Sequence, residues 1–566
     1  MKTNHNIIKA KHEASQLLLA NRLDDAWIAY ELISRQVPGD YEVWLNLGAI
    51  AARQGRGVDA EIAFRRAIEL KPDLPQANIN MARLLMMKNL FEEALPYLQR
   101  YVELQPNAQD GHSQLAILYE KLGNNPAAER SYRNALNLDA NNVAVLVGLG
   151  RTSLLSGNYN EARKLCERAL RLKPDAGEAY VCLISALRRL RCFDEAKHCC
   201  GQMIANLPRL RENYLMSMAQ ICIDQQHYEE AQELYKDLIR ISPDLGLGRW
   251  NYSLLLLLLG RYQEGWEEYE WRWHTPLFSS TWRNWSSLEK PLWKGESLNG
   301  RTILIFSEQG LGDTIQFGRY LQPLVEQGGQ VIFHCQKELL GLFRHIPGLQ
   351  VEERDIIRAH QESFDYYLPL MSLARIMRTT VDTIPTQIPY FQTDPARVVA
   401  WRARINRDGF KVGLVWEGSK KNTSDQIRSM KLEEFAPLAE IPGVVLYSLQ
   451  VDNDAGEMKA FTEKHELIDL APLLNDFEDT AAAIENLDLV ISVDTAVAHL
   501  AGALGRPVWT LVYQPTEWRW MLDRDDSPWY PSMRLFRQTL EEPTWPPVIK
   551  RVAAALRELV ASRGEG

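Results

Sequence analysis

Proline recurs along the first half of the chain at Pro38, Pro72, Pro106, Pro174, Pro208 and Pro243, at intervals of 34, 34, 68, 34 and 35 residues. The double interval contains the matching segment Leu136-Asn137-Leu138-Asp139-Ala140, so one further unit has lost only its proline. A fixed period of this length marks one supersecondary unit used many times, and such units must stack because none buries its apolar face alone. Twelve residues before each of these positions stands an alanine: Ala26, Ala60, Ala94, Ala128, Ala162, Ala196 and Ala231. Eight before comes a bulky or thiol side chain, namely Tyr30, Phe64, Leu98, Tyr132, Cys166, Cys200 and Tyr235. A small residue lets two antiparallel helices approach, and a large one fills the gap behind it.

The first helix of each unit carries its own markers, clearest in Trp44, Leu47 and Gly48. This pattern resembles the tetratricopeptide repeat over about residues 7 to 273, with a partial eighth unit marked by Trp250, Gly265 and Tyr269. The resemblance implies an α-solenoid of seven to eight repeats over 1–273, whose concave surface binds a peptide or protein partner. Asn46, Asn80, Gln114 and Asn251 share one position on the first helix of their units, with Gly148, Cys182 and Ser217 between. The architecture is similar to O-GlcNAc transferases, which implies that Asn46, Asn80 and Gln114 grip the main chain of a protein acceptor. Solvated amides of a generic repeat are the plainer reading.

At 566 residues the chain has room for about three or four folding units. A net charge of -9 gives no general attraction for nucleic acid or anionic lipid. Residues 1–20 lack the apolar core of a secretory signal. The longest apolar run, Leu254 to Leu259, is far short of a membrane span and is expected to be a buried helix. Seven cysteines without a Cys-x-x-Cys pair point away from a disulfide framework or structural zinc, and toward a reducing cytoplasm, with Cys166 and Cys200 as small core residues.

Periodicity changes past Trp273. A linker over 274–300 holds Trp282, Trp285 and Trp293, expected to pack the last turn of the solenoid onto the next domain. From Arg301 short apolar strands alternate with helices, as in a parallel sheet. Ile303 to Phe306 and Val331 to Phe333 open a first set. Val412 to Trp416, Val444 to Tyr447, Leu489 to Val493 and Val508 to Val512 form a second, with Val508 to Val512 the last strand visible and a closing helix over Val548 to Val560. The expected architecture is an α/β pair of doubly wound halves, 301–392 and 393–566, with ligands held at the carboxyl ends of the strands.

Two motifs stand at such ends: Gly310-Leu311-Gly312-Asp313 after the first strand, and Asp494-Thr495-Ala496-Val497-Ala498-His499 opening a late helix. On these motifs residues 296 to 540 resemble the heptosyltransferase-like glycosyltransferases of family nine, specifically bacterial relatives fused to tetratricopeptide repeats. The resemblance implies a GT-B fold with an acceptor-side and a nucleotide-sugar-side half. It also implies inverting, metal-independent sugar transfer, with no cofactor beyond the nucleotide-sugar co-substrate.

Asp313 is then the base that activates an acceptor hydroxyl, with Glu308 the alternative carboxylate and an N-cap the structural alternative for Asp313. Gly310 and Gly312 allow close approach of the donor. The helix start at Asp494, Thr495 and Ala496 offers unpaired amides to a diphosphate, and His499, one turn on, faces the same ligand. Ala496 departs from the glycine common in the relatives. Lys420, Lys421, Arg428 and Ser429 follow the strand ending at Trp416 and are candidates for neutralising the leaving group. Asp523-Arg524-Asp525-Asp526 mimics a metal motif, but its spacing supplies no further oxygen ligands. The function expected is protein O-glycosylation in the cytoplasm, of flagellin or another surface protein. A lipid or oligosaccharide transferase, or an adaptor with an inactive transferase fold, are the alternatives.

Overall fold

The computed structural model describes residues 2–420 and 425–564. The chain forms two compact units, Met1–Ser217 and Met218–Gly566.

In the first unit, paired helices match the sequence period. All seven periodic alanines of the chain are fully buried, Ala231 lying in the second unit, and the bulky partners four residues on are buried with them. The ring of Phe64 lies on Gly48 and that of Tyr132 on Gly148, where a Cβ would collide. Helix starts are set by local chemistry. Asn124 Oδ1 accepts from Ala127 N at 3.2 Å, Asn142 Oδ1 from Val145 N at 3.1 Å, and Pro75 opens Pro75–Met87. The turn between the two helices of each pair is periodic as well. Asn21, Gly55, Asn89, Gly123, Gly157, Arg191, Gln226 and Gly260 all take positive φ, between 58° and 78°. Glycine and asparagine suit that left-handed turn, whereas Arg191 and Gln226 adopt it at a cost.

The second unit begins with repeat helices, among them Tyr228–Ile241, Gly246–Leu258 and Tyr262–Tyr269. The division thus falls before the end of the periodic sequence. The reason lies in the core: Leu257, Leu258, Tyr262, Trp266 and Tyr269 join one apolar cluster with the sheet residues Ile303, Ile305, Phe333 and Val490. The leucine run at 254–259 is the buried helix expected, with Leu255 to Leu258 almost fully enclosed. In the linker, Trp285 stacks on Phe306 with ring centroids 4.1 Å apart, and Trp273, Phe278 and Leu288 complete a cluster against the first sheet.

Beyond the linker stand two all-parallel sheets. The first has order β3-β2-β1-β4, with β1 Thr302–Phe306, β2 Gln330–Cys335, β3 Leu349–Glu353 and β4 Tyr366–Pro369. The second has order β10-β9-β8-β5-β6-β7, with β5 Phe410–Val415, β6 Val444–Ser448, β7 Ile468–Asp469, β8 Leu489–Val493, β9 Val508–Val512 and β10 Met533–Arg537. The register runs Ile303↔Val331 and Ile303↔Tyr366 in the first sheet, and Val412↔Leu489 in the second. These are the two doubly wound halves of a GT-B architecture. Val508–Val512 is not the last strand, because β10 pairs beyond it at the sheet edge with Met533 opposite Val508. The closing helix runs Trp545–Gly564, and its Val548, Ile549 and Val552 fill the outer core of the second half.

The halves are tied directly. Arg319, beyond the helix that comes after β1, donates from Nη1 to Trp529 O at 2.8 Å, and the rings of Tyr390, Trp529 and Tyr530 surround its guanidinium. Tyr390 Oη donates to Ile315 O at 3.0 Å. A buried guanidinium without a carboxylate partner is tolerable only when carbonyls and ring faces satisfy it, as here.

Candidate active site

In an open parallel sheet, ligands bind where the strand order reverses, beyond the carboxyl ends of the strands. The first sheet reverses at β1, and the turn after β1 carries Glu308 to Asp313. The second reverses between β5 and β8, and the segments after these strands carry Arg428 and Asp494 to His499.

Gly312 brings the two halves together. A Cβ built on it would stand 2.9 Å from His499 Cδ2 and 3.6 Å from Ala496 Cα. The glycine turn of the first half therefore lies on the start of the helix Ala496–Ala503 of the second. That helix has no side-chain cap: Thr495 Oγ1 bonds Ser492 Oγ at 2.9 Å instead. Its first amides have no partner within the helix, and Asp494 to Val497 are half-buried.

At the start of its own helix, Leu311–Phe317, Asp313 Oδ2 accepts from Gly310 N at 2.9 Å. Asp313 is therefore not the N-cap, which is Gly310, but the third helical residue bonding back to it, and this occupies one oxygen only. Oδ1 is paired with Arg519 Nη2. Arg519 also donates from Nε to Gln316 Oε1 at 2.7 Å and is paired through Nη1 with Glu517 Oε1. One guanidinium thus bridges a carboxylate from each half. Burial pushes the Glu517 carboxyl up to about 7 against the opposing effect of Arg519.

Around His499, Nδ1 bonds Tyr530 Oη at 3.0 Å, and the ring stacks on Trp520 at 5.4 Å. Burial, aided by Arg519, Arg319 and Arg428, holds the imidazole well below its usual range, so it is neutral at pH 7. Asp494 accepts from Trp520 Nε1 at 3.0 Å, and burial raises its carboxyl. Arg428 Nη1 donates to Asp494 O at 3.0 Å, and its guanidinium covers Gly418, where a side chain has no room. Ser429 Oγ accepts from Gly418 N at 3.0 Å. Arg428 and Ser429 therefore join the loop after β5 to the Asp494 motif. Lys420 is exposed in that loop, and Lys421 lies outside the described residues.

Glu308 is placed differently from Asp313. Its side chain is fully buried, with Oε1 accepting from Arg272 Nη2 at 3.0 Å and Met371 N at 3.2 Å. Burial raises its carboxyl to about 7 even beside Arg272. An enclosed carboxylate has no path to an acceptor hydroxyl. In the Asp523 to Asp526 segment, Arg524 folds onto Asp526 with two bonds of 2.8 and 2.7 Å. Among the described residues no group of three or more His, Cys, Asp or Glu side chains converges as metal ligands. Asn46, Asn80 and Gln114 occupy equivalent half-buried places in Tyr41–Arg53, Pro75–Met87 and Gln109–Lys121 of the first unit, where Gln114 Oε1 accepts from Arg83 Nε at 3.0 Å.

Sequence reasoning missed Glu517, Arg519, Trp520 and Tyr530, and the repeat residues Tyr269 and Arg272. Glu517-Trp518-Arg519-Trp520 stands just past the carboxyl end of β9, a position that marks ligand-facing residues in such sheets.

A model of glycosyltransferase family 9 (heptosyltransferase) matches residues 433–558. Tetratricopeptide-repeat models match 113–177 and 213–245, and the middle TPR-like domain of cilia and flagella-associated protein 70 matches 25–131. Protein FlbA of Caulobacter vibrioides is 28% identical over 98% of this chain and 91% of its own length. Human protein O-mannosyl-transferase TMTC3 is 23% identical over 45% of this chain, which spans 25% of that protein. A tetratricopeptide repeat protein from Parabacteroides merdae, of known crystal structure, has 18% identity and a TM-score of 0.34, covering 44% of this chain and 99% of its own. Among the described residues no helix is long and apolar enough to cross a membrane. The chain joins an array of tetratricopeptide repeats to a glycosyltransferase domain of family 9.

Proposed function

We propose that the protein moves a sugar from a nucleotide-sugar donor to a hydroxyl of a protein acceptor recruited by the repeats, with inversion and without a metal ion. The observation that carries this reading is the contact of Gly312 with Ala496 and His499, which sets Asp313 beside an uncapped helix start. The helix amides, Arg428 and Arg519 favour a diphosphate, for which aligned backbone donors and guanidinium groups are suited. Asp313 takes the proton of the acceptor hydroxyl as the hydroxyl oxygen bonds the anomeric carbon. The bond from that carbon to the phosphate oxygen breaks on the opposite face, and the nucleotide leaves with the electron pair. Arg519 stands between both events and can serve the carboxylate or a phosphate oxygen. His499, being neutral, contributes a hydrogen bond rather than charge.

Asn46, Asn80 and Gln114 hold the acceptor's main chain in this reading, as an amide series at equal spacing can do. Flagellin or another surface protein, modified in the cytoplasm, is the acceptor class favoured. The family's heptosyltransferase description supports a second reading, transfer to a lipid or oligosaccharide. Intact-mass analysis of cell proteins with and without this protein separates them. A sugar-sized increment on a protein, lost in an Asp313→Asn strain, supports the first, and an unchanged protein set with an altered glycolipid supports the second.

A further inference from the structure

The turn that carries Asp313 is gripped at successive residues by the end of the repeat array. Glu308 Oε1 meets Arg272 Nη2 at 3.0 Å, and Gln309 Nε2 donates to Tyr269 Oη at 2.7 Å. Both partners lie at the end of the last repeat, and both are almost wholly enclosed. Arg272 is itself fixed, donating from Nη1 to Glu270 Oε1 at 2.8 Å and from Nη2 to Ser372 Oγ at 2.8 Å. From the other side, Gln336 Nε2 donates to Gln309 O at 2.7 Å. One helical turn earlier, Trp266 packs edge-on against Phe317 of the first half at 5.9 Å and Trp518 of the second at 5.4 Å. Tyr262 Oη accepts from Trp529 Nε1 at 3.2 Å. The last repeat therefore touches both halves next to the site.

Burying an arginine with two carboxylates is a poor way to gain stability alone, since apolar side chains of similar volume serve as well or better. A polar grip does what an apolar one cannot: it fixes the direction of the groups it bonds. Catalysis by a positioned base is sensitive to misplacement on the order of 1 Å.

Resting on the reading of Asp313 as the base, we propose that Tyr269 and Arg272 are positioning residues of the transferase, holding through Gln309 and Glu308 the turn that presents Asp313. The transferase is then incomplete without the final repeat, and the array is part of the machinery as well as a recruiting surface.

The test uses the full chain. Tyr269→Phe removes one hydroxyl and keeps the ring. The triple Arg272→Met, Glu270→Gln and Glu308→Gln removes the arginine and both of its carboxylate partners together, so the fold is not left with an uncompensated ion. Hydrogen exchange of the peptide covering 307–315 needs no ligand and is read first. Exchange there accelerates by about tenfold in both variants, an opening more favourable by about 1.4 kcal/mol, while strands β1 and β2 stay protected. The second readout is nucleotide release from a panel of UDP-, GDP-, ADP- and CMP-sugars. There kcat falls by about tenfold in Tyr269→Phe, with the donor KM and Tm near their wild-type values. Unchanged exchange at 307–315 together with wild-type turnover in Tyr269→Phe overturns the proposal. An Asp313→Asn protein releasing nucleotide at the wild-type rate overturns the reading of the base, whereas the exchange result still decides the grip on the turn.

Discussion

Arg519 divides one guanidinium among Asp313, Gln316 and Glu517, residues from both halves of the domain. Lysine carries the charge but not the planar fork. Arg519→Lys is expected to fold and to lose about tenfold to a hundredfold in kcat, read as nucleotide release beside a thermal melt. Gly312 is constrained by distance alone, since an alanine Cβ there would stand 2.9 Å from the His499 ring. Gly312→Ala should cost about 1–3 kcal/mol of stability and weaken donor binding, because the ring has to move off the helix start. At this scale Asp313, Thr495 and His499 were legible, since each stands in a short motif at a strand end. Arg519 was not, because 206 residues separate it from Asp313 and only the tertiary fold brings them together. Glu308 was legible as a strand-end carboxylate, but its enclosure depends on Arg272, a partner 36 residues earlier in the chain.

Among the elements, the strands recognised from sequence are largely buried, whereas β4, four residues ending in a proline, is buried and was missed. β1, β8 and β9 are near-continuous apolar runs, as strands covered on both faces must be. β3 alternates polar and apolar residues at a sheet edge, β7 has two residues, and β10 carries two arginines, so none stands out from its loops. The turn after β1 carries a pH signature. The Glu308 carboxyl rises from 4.5 to about 7, so the folded protein holds this proton more tightly than the unfolded chain does. The stability this confers is complete below about pH 4.5 and is lost as pH rises through about 7. On the order of 3 kcal/mol is at stake. Glu308→Gln should remove this term: relative to wild type its Tm should be higher at pH 8 than at pH 5, measured by calorimetry at both.

For the molecule as a whole, the period of the array could be read from its prolines and alanines, and the left-handed turn at Gly55, Gly123 and Gly157 repeats it in the backbone. The division into units could not be read, because the final repeat keeps the sequence pattern while its outer residues, Tyr262 and Trp266, pack into the transferase core. Each unit has a separable task in this scheme. Alanine at Asn46, Asn80 and Gln114 together should weaken acceptor binding by about tenfold, seen by pull-down or titration with the acceptor. Acceptor-independent nucleotide release should be unchanged in that variant.

Sugar transfer at the contact of Gly312 with the helix Ala496–Ala503 is tested most directly by nucleotide release from the sugar-nucleotide panel, wild type against Asp313→Asn. At least one donor should release its nucleotide above the enzyme-free rate, and the asparagine protein should be slower by about a hundredfold or more with its Tm retained. Release from no donor, or equal release by both proteins, would contradict it.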